Sequence, residues 1–596
     1  MRRALVLRTS HLALVTATFV AGSLSPVAQP TQSHPAPHAE RTTLQIGMFA
    51  LWHDRAVTLS PATPNHQLIL STCARCATLV LTQPADIRAT DDAVTLTAAG
   101  KTGNTQRVST TGPITLTAHG ESVTLQNPVT ISAHAGVLVI AVTLPVESYV
   151  ARVVASESGP ADSEESLKTL AIVVRSFALH EAHGHADYDL CDSTHCQLLH
   201  WGNNGSRQAA AHAATLATAG ETLWFHGQRA LAYFGKDCGG QTASPAEIWP
   251  NARALPYLPS RPDPNCGGGG STWASDISRA DLSAALAARG LARSGWKSLT
   301  IAQRGTSGRV LTLKLDGTSI PAEDFRLAIG QALGWNRIPS TWFEVSQQGD
   351  RFLFHGRGWG NGVGLCQKGA AAMASQHHTA AQVLDQYFPG AQSADESTGQ
   401  SWQRFTGEGF TLESLSPDDA TFLPALARAH AAAVLRSGLT ASIPITVRAF
   451  ASTPAFRNAT LAPGWVAAFT EGAWIGTQPL RTLAARHLLD STMRHEFLHA
   501  LIEQEASPKA PLWLREGLVE AWADPSNSTS VGQPSMSINA VDTALTHATT
   551  EHDSAAAHRA AQIYTAQVLA HYGRAQVLAW LRSGVPSEVL AELWKR

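Results

Sequence analysis

From residue 42 to about 145 the apolar residues alternate singly with polar ones; from 146 they recur at helical spacing. The first region is built of short runs: "LQIGMFAL", "HQLILST", "ATLVLTQ", "AVTLTAA", "PITLTAH", "SVTLQNPVTISA" and "GVLVIAVTL". Thr and Val fill these runs, and Gly, Asn, Pro and Asp stand between them, which predicts β-strands. At "PVESYVARVVASE" the period turns helical. "SEESLKTLAIVVRSFALHEAHG" then reads as a helix with Ser163 as cap and Glu164 and Glu165 in the first turn. Its apolar side is Leu167, Leu170, Ile172, Val174 and Phe177. Residues 186–395 mix loops, short strands and helices. The polar stretch around 396–410 reads as a linker. From 411 to 596 the pattern is mostly helical, with strands suggested by "IPITVRAF" and "GWVAAFTEGAWIG". A chain of 596 residues is too long for one core. The expectation is therefore a multidomain α/β (α+β) protein: β-rich first, mixed next, then helical with a small sheet.

The formal net charge of -2 leaves no basic field for nucleic acid or an anionic membrane. No phosphate-cradling glycine pattern of the Walker or Rossmann type occurs. The N-terminus has a cationic start, "MRRALVLR", then the apolar "LALVTATFVAGSL", then "SPVAQPTQSHPAPHAE". This is the layout of a signal peptide over residues 1–30, and the apolar run is short for a membrane span. An uncleaved anchor is the alternative. No later segment is apolar enough to span. The expected location is exported: periplasm, cell wall or extracellular. There disulfides can form among the seven Cys, at 73, 76, 191, 196, 238, 266 and 366.

Three stretches set polar residues among glycines and aromatics: "VESYVARVVASESGP" through "HADYDLCDSTHCQLLHWG", "AYFGKDCGGQTASPAEIWP" through "RPDPNC", and "HGRGWGNGVGLCQKGAAAMA". Such loops let backbone approach a ligand and offer ring faces to sugars. In "VVASESGP" an apolar run delivers Glu157 to a loop before the next helix, where desolvation would raise its pKa as a general acid requires. Glu147 is its nearest rival. Cys191 and Cys196, with His185 and more weakly His195, suit tetrahedral zinc; a local disulfide is the alternative. Cys238 and Cys266 bracket a loop with little core of its own, which a disulfide would close. Cys366 is left as the odd thiol. Cys73 and Cys76, between strands, suit a disulfide better than a redox pair.

Over residues 42–395 these blocks, in order and spacing, resemble the SpoIID/LytB family of peptidoglycan lytic enzymes. The resemblance implies a mixed α/β fold, the glycan strands of the bacterial wall as substrate, and lytic transglycosylation as reaction. It places the catalytic acid on Glu157 and substrate contacts on Gln197, Gln367, Trp359 and Asn361, with a structural zinc beside them. One carboxylate suffices for this reaction, because the muramic acid's own 6-hydroxyl replaces water and the same Glu returns as base. Two positions depart from the family pattern. Asn361 stands where "WGHGVG" has His, and Gly235-Lys236-Asp237 stands where a His is commoner.

"HEFLH" is His495-Glu496-Phe497-Leu498-His499. Histidines at i and i+4 share a helix face and can share a zinc ion, and Glu496 is placed to take a proton from water. In "APLWLREGLVEAWAD", Glu516 lies seventeen residues past His499 and suits a third ligand. Glu520, one turn on, can bind a ligand His from behind. The pair of motifs resembles gluzincin-type metallopeptidases, which implies a catalytic zinc and a peptide or protein substrate. "PGWVAAFTEGAWIG" would then supply an edge strand for that peptide. The reading is an exported wall-remodelling enzyme with a second, peptidase-like domain. Its rivals are a secreted metalloprotease whose first domain only binds glycan, and a non-catalytic wall-binding scaffold.

Overall fold

A computed structural model of the chain describes residues 41–181, 184–202, 205–249, 251–267, 271–292, 295–523 and 533–593. The signal-peptide expectation falls outside them. Among the described residues no helix is long and apolar enough to cross a membrane. The fold is mixed α/β, with a β-rich start and a helical end.

Residues 43–145 form two facing sheets. The alternation seen in the sequence is the alternation of burial: Leu44 and Ile46 point inward from one strand, Val57 and Leu59 from another. "SVTLQNPVTISA", read as one run, is two strands in different sheets, Glu121–Leu125 and Val129–His134. A disulfide joins Cys73 and Cys76.

The last sandwich strand, Val137–Pro145, runs directly into helix α1, Val146–Glu157. Helix α2, Glu164–Glu181, follows after a short turn. Val150, Val153 and Val154 of α1 are fully buried, as are Val173 and Val174 of α2. Glu157 is thus the last residue of one helix, where the sequence suggested a free loop. Glu147 is committed to structure: it pairs with the buried Arg175 of α2 at 2.5 Å. Helix α3, Ser206–Ala217, covers both. The strand pair Phe234–Gly235 and Leu365–Cys366 then leads into α4, Gln367–Ser375, and α5, Ala380–Tyr387.

Residues 272–357 stand apart, with two three-stranded sheets and a core of their own around Phe325, Phe343, Phe352 and Phe354. The stretch 42–395, expected as one unit, therefore contains an inserted second core. Residues 396–410 are not a free linker either. They hold the strand Gln403–Thr406, and the Glu396 N–H donates to the Gly220 carbonyl at 2.8 Å.

The C-terminal unit is a five-stranded sheet backed by helices. "GWVAAFTEGAWIG" is a hairpin, Ala468–Glu471 with Trp474–Thr477, and Ala468–Glu471 is the sheet's edge strand. Helix α6, Leu423–Ser437, packs on α7, Leu489–Glu505. Helix α8, Leu512–Ala523, packs on α9, Glu551–Ser583, which kinks at Gly573.

Candidate active sites

Glu157 ends α1 half-buried, with its carboxylate accepting from the Leu198 N–H at 3.3 Å. Burial raises its pKa to about 7, and the Leu198 bond and the Lys236 charge pull weakly the other way. A carboxylate at a helix C-terminus also faces the negative end of the helix dipole. The neighbouring Ser156 Oγ accepts from the His200 N–H at 2.9 Å, so the 198–200 segment is pinned to the end of α1 at two points.

The third glycine-rich block reaches this place from the far side of the chain. The Gln367 side-chain amide donates to the Glu157 carbonyl at 3.3 Å. The Lys236 ammonium lies 5.0 Å from the centre of the exposed Trp359 ring. Backbone bonds between Asp237 and Trp359, 2.7 and 3.1 Å, hold the second and third blocks together. Glu157, Gln367 and the Lys236–Trp359 pair thus line one open face.

Two expected substrate contacts are placed otherwise. Gln197 is buried, 2% exposed; its amide accepts from the Tyr149 hydroxyl at 2.9 Å and donates to the Val174 carbonyl. It therefore orients the segment that carries Leu198 from within the core. Asn361 turns its side-chain oxygen back onto the Val363 N–H at 2.9 Å, which fixes the glycine turn.

Beside Glu157, His185, Cys191, His195 and Cys196 bring four ligand atoms within 4.8 Å of one another. The two sulfurs are 3.1 Å apart, too far for a bond of about 2.05 Å. His185 Nε2 is 3.1 Å from Cys196 Sγ, and His195 Nδ1 is 3.6 Å from it. Two soft sulfurs and two imidazoles suit a tetrahedral ion. His195, the weaker candidate by sequence, belongs to the group.

The expected Cys238–Cys266 disulfide is not formed. Both are free and buried, and Cys366 joins them rather than standing alone. The loop they bracket is closed without it: Asp263 N donates to the Gly240 carbonyl and Thr242 N to the Arg261 carbonyl.

In the C-terminal unit His495 and His499 face each other from α7, Nε2 to Nε2, at 3.1 Å. Glu516 of α8 comes within 3.4 Å of His499 Nε2. Burial alone would raise the Glu516 carboxyl, but His499 and His558 outweigh it and hold it at about 2. Burial drives His495 down to about 3, so it stays a neutral donor. Glu520 stands 4.0 Å from His495 Nδ1. Glu496 is buried and accepts from the Thr470 hydroxyl of the edge strand at 2.6 Å; burial raises its carboxyl.

His558 of α9 is a participant the sequence did not reveal. Its Nε2 lies 3.4 Å from Glu516. The reason is Gly517. A Cβ there would meet Thr565 Oγ1 at 2.0 Å and the Ala561 carbonyl at 2.4 Å, so only glycine lets α9 close on α8. His558 lies about one turn before Ala561 on the same helix.

Comparison with known proteins bears on the first site. Residues 134–225 match the family model for Stage II sporulation protein, SpoIID, and this segment contains Glu157 and the His185–Cys196 group. Residues 271–364 match a domain of unknown function, DUF8618, which covers the inserted core. An uncharacterised protein of Brachyspira hyodysenteriae is 27% identical over 263 residues, 43% of this chain and 69% of that protein. Stage II sporulation protein D of Bacillus subtilis is 25% identical over 274 residues, 42% and 75%. The Amidase enhancer of the same organism is 28% identical over 87 residues, 15% of this chain and 12% of its own length. These matches support the SpoIID family for the first large unit. Both family models end before the C-terminal unit, whose reading rests on its own geometry.

Proposed function

We propose that the first unit cleaves peptidoglycan glycan strands by lytic transglycosylation, with Glu157 as the acid. The observation that carries this is a single half-buried carboxyl, held near pKa 7, on an open face with Gln367, Lys236 and Trp359. The sporulation and amidase-enhancer relatives favour a wall substrate. Glu157 donates its proton to the glycosidic oxygen as the bond breaks through an oxocarbenium-like state. The resulting carboxylate then takes the proton of the muramic acid 6-hydroxyl as that oxygen closes on the anomeric carbon. Trp359 offers a sugar ring its face. His185, Cys191, His195 and Cys196 would hold a structural zinc that fixes the segment carrying Leu198. Mass analysis of digested sacculi tests the reaction: anhydromuramyl ends are expected, and reducing ends or no new ends would overturn it.

For the C-terminal unit we infer a gluzincin-like peptidase. The supporting observation is Glu516 Oε2, buried 3.4 Å from both His499 Nε2 and His558 Nε2, with the charge of His495 also acting on it. Two imidazoles and a carboxylate are a fitting donor set for zinc, held by His495, His499 and Glu516. Zinc supplies Lewis-acid activation when bound. Glu496 holds and moves the proton, and Thr470 fixes the carboxylate that does so. The edge strand Ala468–Glu471 offers unpaired backbone to an extended peptide. The N-terminal pattern and the wall substrate together point to an exported protein.

A further inference from the structure

Behind the Glu157 face, Cys238, Asp263, Cys266 and Cys366 meet in the interior. Their ligand atoms all lie within 4.8 Å of one another, and none of the four residues is more than 3% exposed. They come from three separate places: the glycine loop after Lys236, the turn at 263–266, and the residue before α4. We propose that these four side chains form a second, structural metal site, a three-thiolate, one-carboxylate cage for zinc.

Two observations carry this. The first is parity. A disulfide would use two of the thiols and leave the third buried against it, whereas a tetrahedral ion uses all four groups. Cys366 Sγ lies 3.6 Å from Cys266 Sγ, and the Cys238 N–H points at Cys366 Sγ at 3.2 Å. The second is charge. Asp263 accepts from the Tyr387 hydroxyl at 2.9 Å, the Asn265 N–H at 3.1 Å and the Cys238 thiol at 3.2 Å. Among the described residues no Lys, Arg or His pairs with it. A buried carboxylate of this kind calls for a counter-charge. By contrast Asp237, equally buried, has Lys368 at 3.4 Å. Four protein ligands leave no open position, so the role is structural.

The site would tie together the segments that carry the Glu157 face. Cys238 follows the Lys236–Asp237 pair that is bonded to Trp359. Cys366 precedes Gln367, which holds the Glu157 carbonyl. The inference does not depend on what the face above does.

The test uses the full chain with zinc or cobalt as probe. The peptidase-like site has no sulfur ligand, so sulfur-to-cobalt charge-transfer absorption reports only on the two cysteine clusters. In a folded Cys191→Ser/Cys196→Ser variant that absorption is expected to persist, and adding Cys366→Ser should remove it. Cys366→Ser alone should release one equivalent of zinc relative to the unsubstituted protein. Loss of all thiolate absorption in the Cys191→Ser/Cys196→Ser variant would overturn the proposal. So would unchanged zinc content in Cys366→Ser, or a disulfide between any two of Cys238, Cys266 and Cys366 in the unreduced protein. Should the double variant not fold, the zinc count of Cys366→Ser and the disulfide map decide alone.

Discussion

At Glu157 three influences compete for one proton. Burial raises the carboxyl, and the Leu198 N–H and the Lys236 ammonium lower it, leaving it near 7. The acid form must be present to protonate a leaving oxygen. Cleavage should therefore be fastest below pH 7 and fall as pH rises through it. Lys236→Met removes a lowering influence, so the falling limb should move to higher pH; a limb that stays put or moves down would detach Lys236 from Glu157. Glu157→Gln keeps the shape and removes the proton, and about 10²-fold or more of the rate should go. Binding to sacculi should remain, since Trp359 and Gln367 are untouched. In the other unit, Glu496→Ala should keep its metal and lose peptide hydrolysis. Glu516→Ala should lose metal affinity, because one of three ligands is gone. Metal content and peptide hydrolysis on both variants separate the two roles; full zinc and full activity in Glu516→Ala would remove the gluzincin reading.

Elements decide which of these residues the sequence could reveal. His495 and His499 were legible because helical period alone puts i and i+4 side by side. Glu157 was legible as a residue but not as a helix end, because α1 and α2 share one apolar pattern broken only at Ser158–Ser163. His558 was hidden because its place depends on how closely two helices pack, which no local period encodes. The same holds for Cys366, whose partners are 100 and 128 residues away. Local reading paired Cys238 with Cys266 and missed the third thiol. Gly517 tests the packing argument. In Gly517→Ala the new methyl has backbone at 2.4 Å, so α8 and α9 must part. Overpacking of this kind costs about 1–3 kcal/mol. Denaturant unfolding should show that loss, and metal affinity at the Glu516 site should fall with it. A variant with native stability and native metal affinity would mean that the α8–α9 contact does not position His558 and Glu516.

Across the whole molecule the two units behave as one frame, although the polar stretch between them suggested independence. Arg448, 1% exposed, sits between them. It donates to Glu413 of its own sheet at 2.7 Å, to Glu221 of the first unit at 2.6 Å, and to the Ala219 carbonyl at 3.1 Å. Its guanidinium also lies over the Trp402 ring, within the stretch expected to be a linker. Leu216 and Ala219 pack there against Phe450, Phe456 and Trp474. A further contact, His212 to Glu471 at 3.1 Å, joins α3 to the edge strand that also bears Thr470. The Glu157 face and the Ala468–Glu471 edge are thus held at a fixed spacing. Arg448→Ala would leave Glu221 without its cation and Glu413 with only the exposed Arg404, at a cost of about 3–5 kcal/mol. That cost falls on the interface rather than on either core. Thermal unfolding should therefore change from a shared transition to two separate ones, and proteolysis should open within 396–410. Both isolated activities should survive, because Arg448 touches neither Glu157 nor Glu496. On the proposed reading, with both faces engaging one wall substrate, action on intact wall should decline. A variant that still unfolds in one unshifted transition, with 396–410 still protected, would show that the apolar contacts alone hold the frame.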